Sequence, residues 1–200
     1  GTIHEINKYI KFMNFLFEEN YCVLKKFSND LKYFDIGGGF PTQYNLDFDF
    51  DYKKLTDGIV SNIKRIADEN KVPHPDIIGE HGRYTVADHS FFLYEISVVK
   101  KSNLNSYWYL INSSLMNYLP DSWALGQDFV ILPLNLLNNK MVKVKLGGLT
   151  CDPDDTYYKQ EKRNFLYLPE IKDGEKLYIG VFGVGAYQEM IAGVGGIHHC

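Results

Sequence analysis

Three consecutive glycines, Gly37, Gly38 and Gly39, end an apolar run and lie just before Pro41. Glycine weakens the interior of a strand, so three in a row predict a strand that ends in a loop approached closely by another group. The backbone N–H groups of such a loop can point together at one anion, most often a phosphate. A plain structural turn explains the same residues, and both interpretations stay open at this point.

A charged segment follows the next short apolar run of the chain, at residues 76–79. It consists of Glu80, His81, Gly82 and Arg83. If the two runs are neighbouring parallel strands, their carboxyl ends meet at one edge, where ligands collect in parallel sheets. Arg83 offers a forked cation for a phosphate and Glu80 offers a carboxylate. A purely structural ion pair is the alternative.

Two later segments also carry groups that could take part in chemistry. Cys151 and Asp152 lie in an acidic stretch after a predicted strand, and Tyr187 follows a run of small residues. The segment that contains Cys151 and Asp152 is either an acidic surface turn or a site in which a thiol donates a proton and neighbouring carboxylates bind a cationic substrate. A tyrosine such as Tyr187, taken alone, is more often structural.

The hydrophobic periodicity predicts the elements that must position these groups. Apolar residues recur at helical spacing over 3–30 and 53–70, and β-prone runs cover 31–36 and 76–80. This order predicts a strand–helix–strand unit with a crossover long enough for parallel pairing. After residue 87, β-prone runs separated by polar or glycine-rich connections predict a mostly antiparallel region. We therefore expect an α/β domain over 1–88 and a β domain over 89–200.

Composition narrows the classes of function. A net charge of −4 with scattered Lys and Arg gives no electrostatic basis for binding nucleic acid or an anionic membrane. No apolar run is long enough to span a bilayer, and the beginning of the chain lacks the layout of a signal peptide. The three widely spaced cysteines favour a reducing, cytoplasmic setting. We expect no metal, although His198, His199 and Cys200 form a short His/Cys tract.

Four segments, in this order and spacing, resemble the pyridoxal-phosphate-dependent decarboxylases of the alanine-racemase-like fold. These are the segments at 35–40, 79–83, 150–152 and 185–187. Within that group, which includes ornithine, diaminopimelate and arginine decarboxylases, the stretches at 112–134 and 185–189 look most like biosynthetic arginine decarboxylases. The resemblance covers the chain from about residue 30 to its end.

The resemblance implies a fold and a cofactor. The fold is α/β plus all-β, with the C-terminal portion of a TIM-like (β/α) barrel followed by a mainly antiparallel β domain. The cofactor is pyridoxal phosphate, whose phosphate accepts N–H bonds from Gly37, Gly38 and Gly39, with help from Arg83 and Tyr187. Glu80 pairs with the pyridine nitrogen and favours the protonated ring, which serves as the electron sink.

The same resemblance implies the groups that meet the substrate. Cys151 is the proton donor that quenches the carbanion left when CO₂ departs, and it reaches across a dimer interface into the partner's site. Asp152 holds the distal cationic end of the substrate, because a guanidinium favours a carboxylate fork. Asp121 is a further candidate for that end. Asp155 is expected to support the dimer interface.

Two departures from the family's pattern stand out. The family usually has proline where this chain has His81, which we interpret as loop variation. The family's Schiff-base lysine belongs to an early barrel strand, upstream of the residues in this sequence. Lys143 and Lys145 alternate along a predicted strand as its polar face, outside that lysine motif. We therefore expect a fragment that does not decarboxylate alone and whose parallel strand edges need cover.

Three hypotheses for function follow. The first is the C-terminal part of an arginine decarboxylase that converts arginine to agmatine. The second is a non-catalytic, decarboxylase-like regulatory or binding protein that pairs with a full-length relative. The third keeps the chemistry but takes ornithine, lysine or diaminopimelate as substrate. The expected partners are the amino acid and either a second copy in a homodimer or the missing N-terminal half of the barrel.

Overall fold

A computed structural model describes residues 2–102, 106–157 and 165–192. The chain divides into two compact units. The first unit comprises residues 1–42 and 49–85, and the second comprises residues 43–48 and 86–200. Each unit has its own hydrophobic core.

The first unit contains the predicted strand–helix–strand arrangement. Its elements are α1 (Ile6–Leu16), a π-helical segment (Phe17–Cys22), α2 (Val23–Lys25), β1 (Tyr33–Asp35), α3 (Tyr52–Asn70), β2 (Asp76–Ile78) and α4 (Gly82–Val86), whose last residue lies in the second unit. Strands β1 and β2 pair in parallel, with Tyr33 opposite Asp76 and Asp35 opposite Ile78. The carboxyl ends of the two strands therefore lie side by side.

Helix α3 connects the two parallel strands, and its sequence accounts for both of its ends. It begins after Asp51, whose side chain accepts a hydrogen bond from the Lys54 N–H at 2.8 Å and so caps the first turn. It ends just before Lys71, which adopts the left-handed conformation with a φ of 55°. Its buried apolar residues recur three or four positions apart and form one stripe. They are Leu55, Ile59, Ile63, Ile66 and Ala67.

An aromatic cluster joins the N-terminal helical segment to β1. Phe17 stacks on Tyr21 with ring centroids 4.9 Å apart and meets Phe34 of β1 edge-on at 5.0 Å. Phe17 is fully buried. Burial of a side chain of this size contributes about 1.5–3 kcal/mol. The cluster fixes the strand that leads into the three glycines.

The second unit is built on a mixed sheet. Its described elements are a 3₁₀ segment (Ala87–His89), β3 (Phe91–Lys101), β4 (Tyr107–Ile111), α5 (Leu115–Tyr118), α6 (Pro120–Leu125), β5 (Val130–Pro133), β6 (Met141–Gly147), β7 (Thr156–Tyr157), β8 (Leu166–Pro169), β9 (Tyr178–Phe182) and α7 (Gln188–Ala192). The strand order is β5-β9-β3-β4-β6-β7, and β8 pairs with β6. Among the described strand pairs of this sheet, only β4–β6 is parallel. The prediction of a mainly antiparallel region is confirmed.

Strand β6 shows why the sheet has one face in the core. Val142, Val144 and Leu146 are buried, whereas Lys143 and Lys145 alternate with them on the other face. The Lys143 ammonium lies 3.9 Å from the centroid of the Phe165 ring. Both lysines therefore form the polar face of a strand, as predicted.

Two observations concern binding classes that the composition disfavoured. Among the described residues, no helix is long and apolar enough to cross a membrane. The same residues contain no group of three or more His, Cys, Asp or Glu side chains that could hold a metal ion. The tract His198, His199 and Cys200 lies outside the described residues.

Candidate active site

The three glycines lie at the carboxyl end of β1, directly beside the carboxyl end of β2. The Ile36 N–H donates to the Ile78 carbonyl at 2.9 Å, and the Glu80 N–H donates to the Gly37 carbonyl at 2.9 Å. These bonds continue the parallel pairing past both strands. The structure thus brings together the glycine loop and Glu80, which the sequence placed at one edge of the sheet.

Each of the three positions excludes a side chain or disfavours one. Gly37 and Gly39 have φ values of 68° and 82°, in the left-handed region that favours glycine. Gly38 lies so close to the Glu80 carbonyl oxygen that a Cβ there would collide with backbone. The loop is consequently a place of close backbone approach, as the glycine run predicted.

The N–H groups of this loop are not equivalent. The Gly37 N–H donates to the Asp35 carboxylate at 2.7 Å. Within the described part of the chain, neither the Gly38 N–H nor the Gly39 N–H has an acceptor. When successive residues alternate between right-handed and left-handed backbone conformations, their N–H groups point toward one anion. Two N–H donors, rather than three, are therefore available for a phosphate.

The residues that follow β2 complete this edge of the first unit. The Glu80 side chain is exposed, and Arg83 is partly buried on α4. The His81 ring packs on Phe40 with centroids 4.2 Å apart and fills the space beside Gly79, where a Cβ would collide with it. Glycine at 79 explains how the loop accommodates histidine where the family usually has proline.

Cys151 and Asp152 lie on the loop between β6 and β7 of the second unit. The Cys151 thiol is free and exposed, and Asp152 is partly exposed. One Asp152 carboxylate oxygen accepts a hydrogen bond from the Asp154 N–H at 2.9 Å. The loop therefore presents a thiol and a carboxylate on adjacent residues, an arrangement that suits a proton donor next to a group that binds a cation.

Asp121 lies in a different environment from Asp152. It is buried at the start of α6, and its carboxylate accepts a hydrogen bond from the Gln188 amide at 3.0 Å. The Asp121 N–H donates back to the Gln188 side-chain oxygen at 3.3 Å. No local pattern predicts this pair, since its members are 67 residues apart. A buried carboxylate with a partner inside its own unit is a weaker candidate for a substrate contact than Asp152.

Tyr187 lies in the turn directly before Gln188. It is 48% exposed and has a φ of 70°, which is uncommon for a residue with a side chain. Gly185 precedes it and lies against the Val86 carbonyl, where a Cβ would collide with backbone. The Gly185 N–H donates to the Ala87 carbonyl at 2.9 Å. These contacts and the Gln188 pair hold the turn that carries the Tyr187 hydroxyl.

Three tyrosines in the core of the second unit are excluded as acids or bases near neutral pH. Burial raises the pKa of Tyr109 to about 12. Burial also raises the pKa of Tyr94 and that of Tyr157 well above the ordinary value for tyrosine. All three keep their protons and pack in the core, where the hydroxyls of Tyr109 and Tyr157 also make hydrogen bonds.

Comparison with known proteins matches part of the chain to one family. Residues 4–87 match the family model described as pyridoxal-dependent decarboxylase, pyridoxal binding domain. Over those residues, the chain is similar to the pyridoxal-binding domain of these decarboxylases. The resemblance inferred from the sequence is confirmed, and this family implies pyridoxal phosphate as its cofactor.

Curated relatives extend the match in both units. The biosynthetic arginine decarboxylase of Pelobacter propionicus is 25% identical over 94% of this chain and 47% of its own length. That of Pseudomonas aeruginosa is 46% identical over 42% of this chain and 14% of its own length. At the greatest extent of these matches, the chain spans about half the length of the curated relatives.

Solved structures share the fold. Biosynthetic arginine decarboxylase SpeA of Campylobacter jejuni matches with a TM-score of 0.82 and 22% identity, over 94% of this chain and 47% of that one. Diaminopimelate decarboxylase of M. jannaschii matches with a TM-score of 0.79 and 20% identity, over 94% and 41%. The predicted fold class, part of a (β/α) barrel followed by a mainly antiparallel β domain, is confirmed.

Proposed function

We propose that this chain is the part of a pyridoxal-phosphate-dependent arginine decarboxylase that binds the cofactor's phosphate and supplies the proton donor. The carrying observation is the glycine loop, whose Gly38 and Gly39 N–H groups lack acceptors among the described residues and stand next to Glu80. A loop of this kind at the carboxyl ends of parallel strands suits a phosphate. The product is agmatine, a precursor for polyamine synthesis, and the proposed setting is the cytoplasm, in keeping with the biosynthetic names of the relatives.

The residues of the first unit suit the cofactor by their chemistry. When bound, pyridoxal phosphate supplies the electron sink for loss of CO₂. The N–H groups of Gly38 and Gly39 donate to the phosphate, and the Arg83 guanidinium adds a forked cation. The exposed Glu80 carboxylate holds a proton on the pyridine nitrogen.

Cys151 and Asp152 act on the substrate in this proposal. The exposed Cys151 Sγ donates a proton to the carbon that has lost CO₂. Asp152 binds the guanidinium, and only one of its carboxylate oxygens has a donor in the described part of the chain. The buried Asp121 carboxylate, which bonds to Gln188, is proposed only as a second candidate for the cationic end.

The choice of arginine is supported by the names of curated relatives. Four that are more than 40% identical over 88 residues are biosynthetic arginine decarboxylases. Solved structures with the same fold include decarboxylases of other amino acids. Ornithine, lysine and diaminopimelate therefore remain the alternative substrates. Turnover of each amino acid by an assembled enzyme that contains this chain tests the choice, and we expect arginine to give the highest kcat/KM.

The first unit exposes apolar residues at its sheet and at its first helix. Tyr33, Ile77 and Ile78 of the two strands are exposed, as are Phe12 and Phe15 of α1. An apolar groove of about 700 Å³ runs along α1. Among the described strands, β1 pairs with β2 alone. Because the relatives are about twice as long, we propose that further (β/α) units of a decarboxylase barrel cover this surface.

The second unit exposes a separate apolar patch across three adjacent strands. Register places its members on one face of β5, β9 and β3. They are Phe91, Leu93, Val130, Leu132 and Phe182. We propose that a second copy covers this patch in a homodimer, which light scattering tests. Leu93→Glu is expected to shift a dimer to a monomer, whereas Lys100→Glu on the same strand leaves the dimer intact.

Cofactor binding by the purified chain tests the central proposal. Equilibrium dialysis should show binding of pyridoxal phosphate but not of pyridoxal, and inorganic phosphate should compete. Gly38→Ala should abolish this binding. Gly82→Ala is the matched control, because a Cβ at Gly82 meets no atom within 4 Å. Equal binding of pyridoxal and pyridoxal phosphate, or binding unchanged in Gly38→Ala, would contradict the phosphate site.

Activity assays test the remaining hypotheses. The chain alone should release no CO₂ from arginine when pyridoxal phosphate is added, because the resemblance assigns the Schiff-base lysine to a barrel strand outside this sequence. Robust turnover by the chain alone would overturn the fragment hypothesis. A change in the activity of an intact arginine decarboxylase on mixing would instead favour the regulatory alternative.

A further inference from the structure

Asp155 carries a fully engaged, buried carboxylate in the second unit. Asp155 as a whole is only 3% exposed. One carboxylate oxygen accepts hydrogen bonds from the Ser114 hydroxyl at 3.1 Å and the Met116 N–H at 2.9 Å. The other accepts from the Thr150 N–H at 3.1 Å and the Thr150 hydroxyl at 2.8 Å. Four donors from two separate segments therefore converge on one side chain.

The main chain around Asp155 reinforces this connection. The Gly148 N–H donates to the Asp155 carbonyl at 2.8 Å. A Cβ at Gly148 would collide with the Asp155 carboxylate, so glycine at 148 is what lets the carboxylate reach its donors. The Leu149 N–H donates to the Ser113 carbonyl at 3.0 Å. The loop of residues 148–155 is thus bound at both of its ends and joined to the turn that begins α5.

The same network extends to the two residues that face solvent. The Thr150 hydroxyl donates to Asp155 and accepts a hydrogen bond from the Asp152 N–H at 3.3 Å. The Asp155 N–H also donates to the Asp152 carbonyl at 3.1 Å. Cys151 lies between Thr150 and Asp152, so both of its neighbours are connected to Asp155.

We propose that Asp155 is the positioning residue for Cys151 and Asp152. It acts by fixing the 148–155 loop against residues 114–116, and its own carboxylate contacts no substrate. This inference rests on the proposed function for the roles of Cys151 and Asp152. The support of a dimer interface that the resemblance implies for Asp155 stays a prediction, and the side chain itself is buried and hydrogen-bonded within its own chain.

Substituting asparagine for Asp155 isolates the effect of the carboxylate. The volume stays the same, but one acceptor oxygen becomes an NH₂ group that faces donors, so two hydrogen bonds are lost and a buried donor is left unpaired. Asp154→Asn is the matched control, since it removes the same charge from the neighbouring, exposed position. Thr150→Val removes the connecting hydroxyl, and Thr150→Ser restores it.

The experiment measures how firmly the 148–155 loop is held, and it uses the purified chain with the substitution Cys200→Ser. The exposed Cys151 is labelled with a trifluoromethyl reagent and followed by ¹⁹F NMR, while the buried Cys22 stays unlabelled. Hydrogen exchange is measured at the Thr150 and Met116 amides and at the amides of β3 and β9. No cofactor is present, so a failure of the proposed cofactor site leaves this test intact.

Asp155→Asn and Thr150→Val are expected to narrow the ¹⁹F line and move it toward that of an unfolded peptide. Exchange at Thr150 and Met116 should rise about 10-fold or more, with the sheet amides unchanged. Asp154→Asn and Thr150→Ser should match the parent chain. An unchanged ¹⁹F signal in both Asp155→Asn and Thr150→Val, or an equal loss of protection in the sheet, would overturn the proposal. Thr150→Val decides the matter if Asp155→Asn fails to fold.

Discussion

The glycine loop at residues 37–39 and the 148–155 loop hold their candidate groups by opposite means. The first is shaped mainly by backbone, through two left-handed glycines and the close contact of Gly38 with the Glu80 carbonyl. The second is shaped by one buried side chain, Asp155, which accepts four hydrogen bonds. A site that offers N–H groups to an anion is built from main chain, whereas a site that offers side chains to a substrate needs a side-chain anchor.

This difference predicts how each loop responds to change. The glycine loop cannot relax around an added methyl group, because the obstructing atom belongs to the backbone of a paired segment. The 148–155 loop can yield, since its obstructing group is a side chain that can rotate at the expense of its hydrogen bonds. Steric changes should therefore be more severe in the glycine loop than in the 148–155 loop, and changes of polar groups should have graded effects in the second unit.

Gly38→Ala is expected to have the largest effect. The added Cβ collides with the Glu80 carbonyl and opposes the Glu80–Gly37 hydrogen bond, so we expect the free energy of unfolding to fall by about 3 kcal/mol or more. Urea denaturation followed by circular dichroism, with hydrogen exchange at β1 and β2, measures the loss. Gly37→Ala adds only a left-handed residue and should cost about 1–2 kcal/mol. Equal losses in the two variants would show that the contact with Glu80 is not decisive.

The same contrast explains what the sequence could predict. The glycine loop and its place beside Glu80 follow from local patterns, since residue types alone report strand ends and close backbone approach. Parallel pairing of β1 with β2 follows from the length of the crossover that contains α3. These parts of the site needed no knowledge of distant contacts.

The long-range hydrogen bonds that hold candidate residues in the second unit could not be predicted from the sequence. Asp155 meets Ser114 across 41 residues, and Gln188 meets Asp121 across 67. Pairs this far apart leave no periodic signal, and the acidic stretch that contains Asp155 is equally consistent with a surface turn. The parallel pairing of β4 with β6 inside a mainly antiparallel sheet was likewise not predictable from alternation. Only the Ser114 cap of α5, which accepts from the Asn117 N–H, belongs to a local pattern.

Tyr157→Phe tests the dependence of the second unit on buried polar groups. The Tyr157 hydroxyl accepts from the Phe129 N–H at 2.8 Å and donates to the Phe129 carbonyl at 3.1 Å. Phenylalanine leaves both main-chain groups buried without that partner, which should cost about 2–3 kcal/mol. Thermal or urea unfolding measures the loss, and a cost below that of Tyr109→Phe would contradict the graded dependence.

Tyr109→Phe should have a smaller effect that depends on pH. The Tyr109 hydroxyl donates a hydrogen bond to the Pro169 carbonyl at 3.0 Å, so the loss of this bond should cost about 1 kcal/mol below pH 10. The pKa of Tyr109 is raised from 10.0 to about 12 in the folded chain, so the unfolded chain loses this proton first as pH rises. The stabilisation from Tyr109 is complete below pH 10 and is lost as pH rises to 12. The stability difference between the parent chain and Tyr109→Phe should therefore shrink over this range, and a constant difference would show that Tyr109 does not titrate as inferred.

Tyr94→Phe should have the smallest effect and completes the series. The Tyr94 hydroxyl is buried and has no hydrogen-bond partner among the described residues, and burial raises its pKa. In the same core, the Tyr157 hydroxyl both donates to and accepts from the Phe129 main chain, and the Tyr109 hydroxyl donates to the Pro169 carbonyl. Removing an unpaired buried hydroxyl removes a desolvation cost without losing a bond, so the variant should be neutral or up to about 1 kcal/mol more stable. Urea unfolding of the three variants under one condition measures the order. If Tyr94→Phe loses as much stability as Tyr109→Phe, hydrogen bonding does not set the ranking, and the contrast with the backbone-built glycine loop must rest on shape alone.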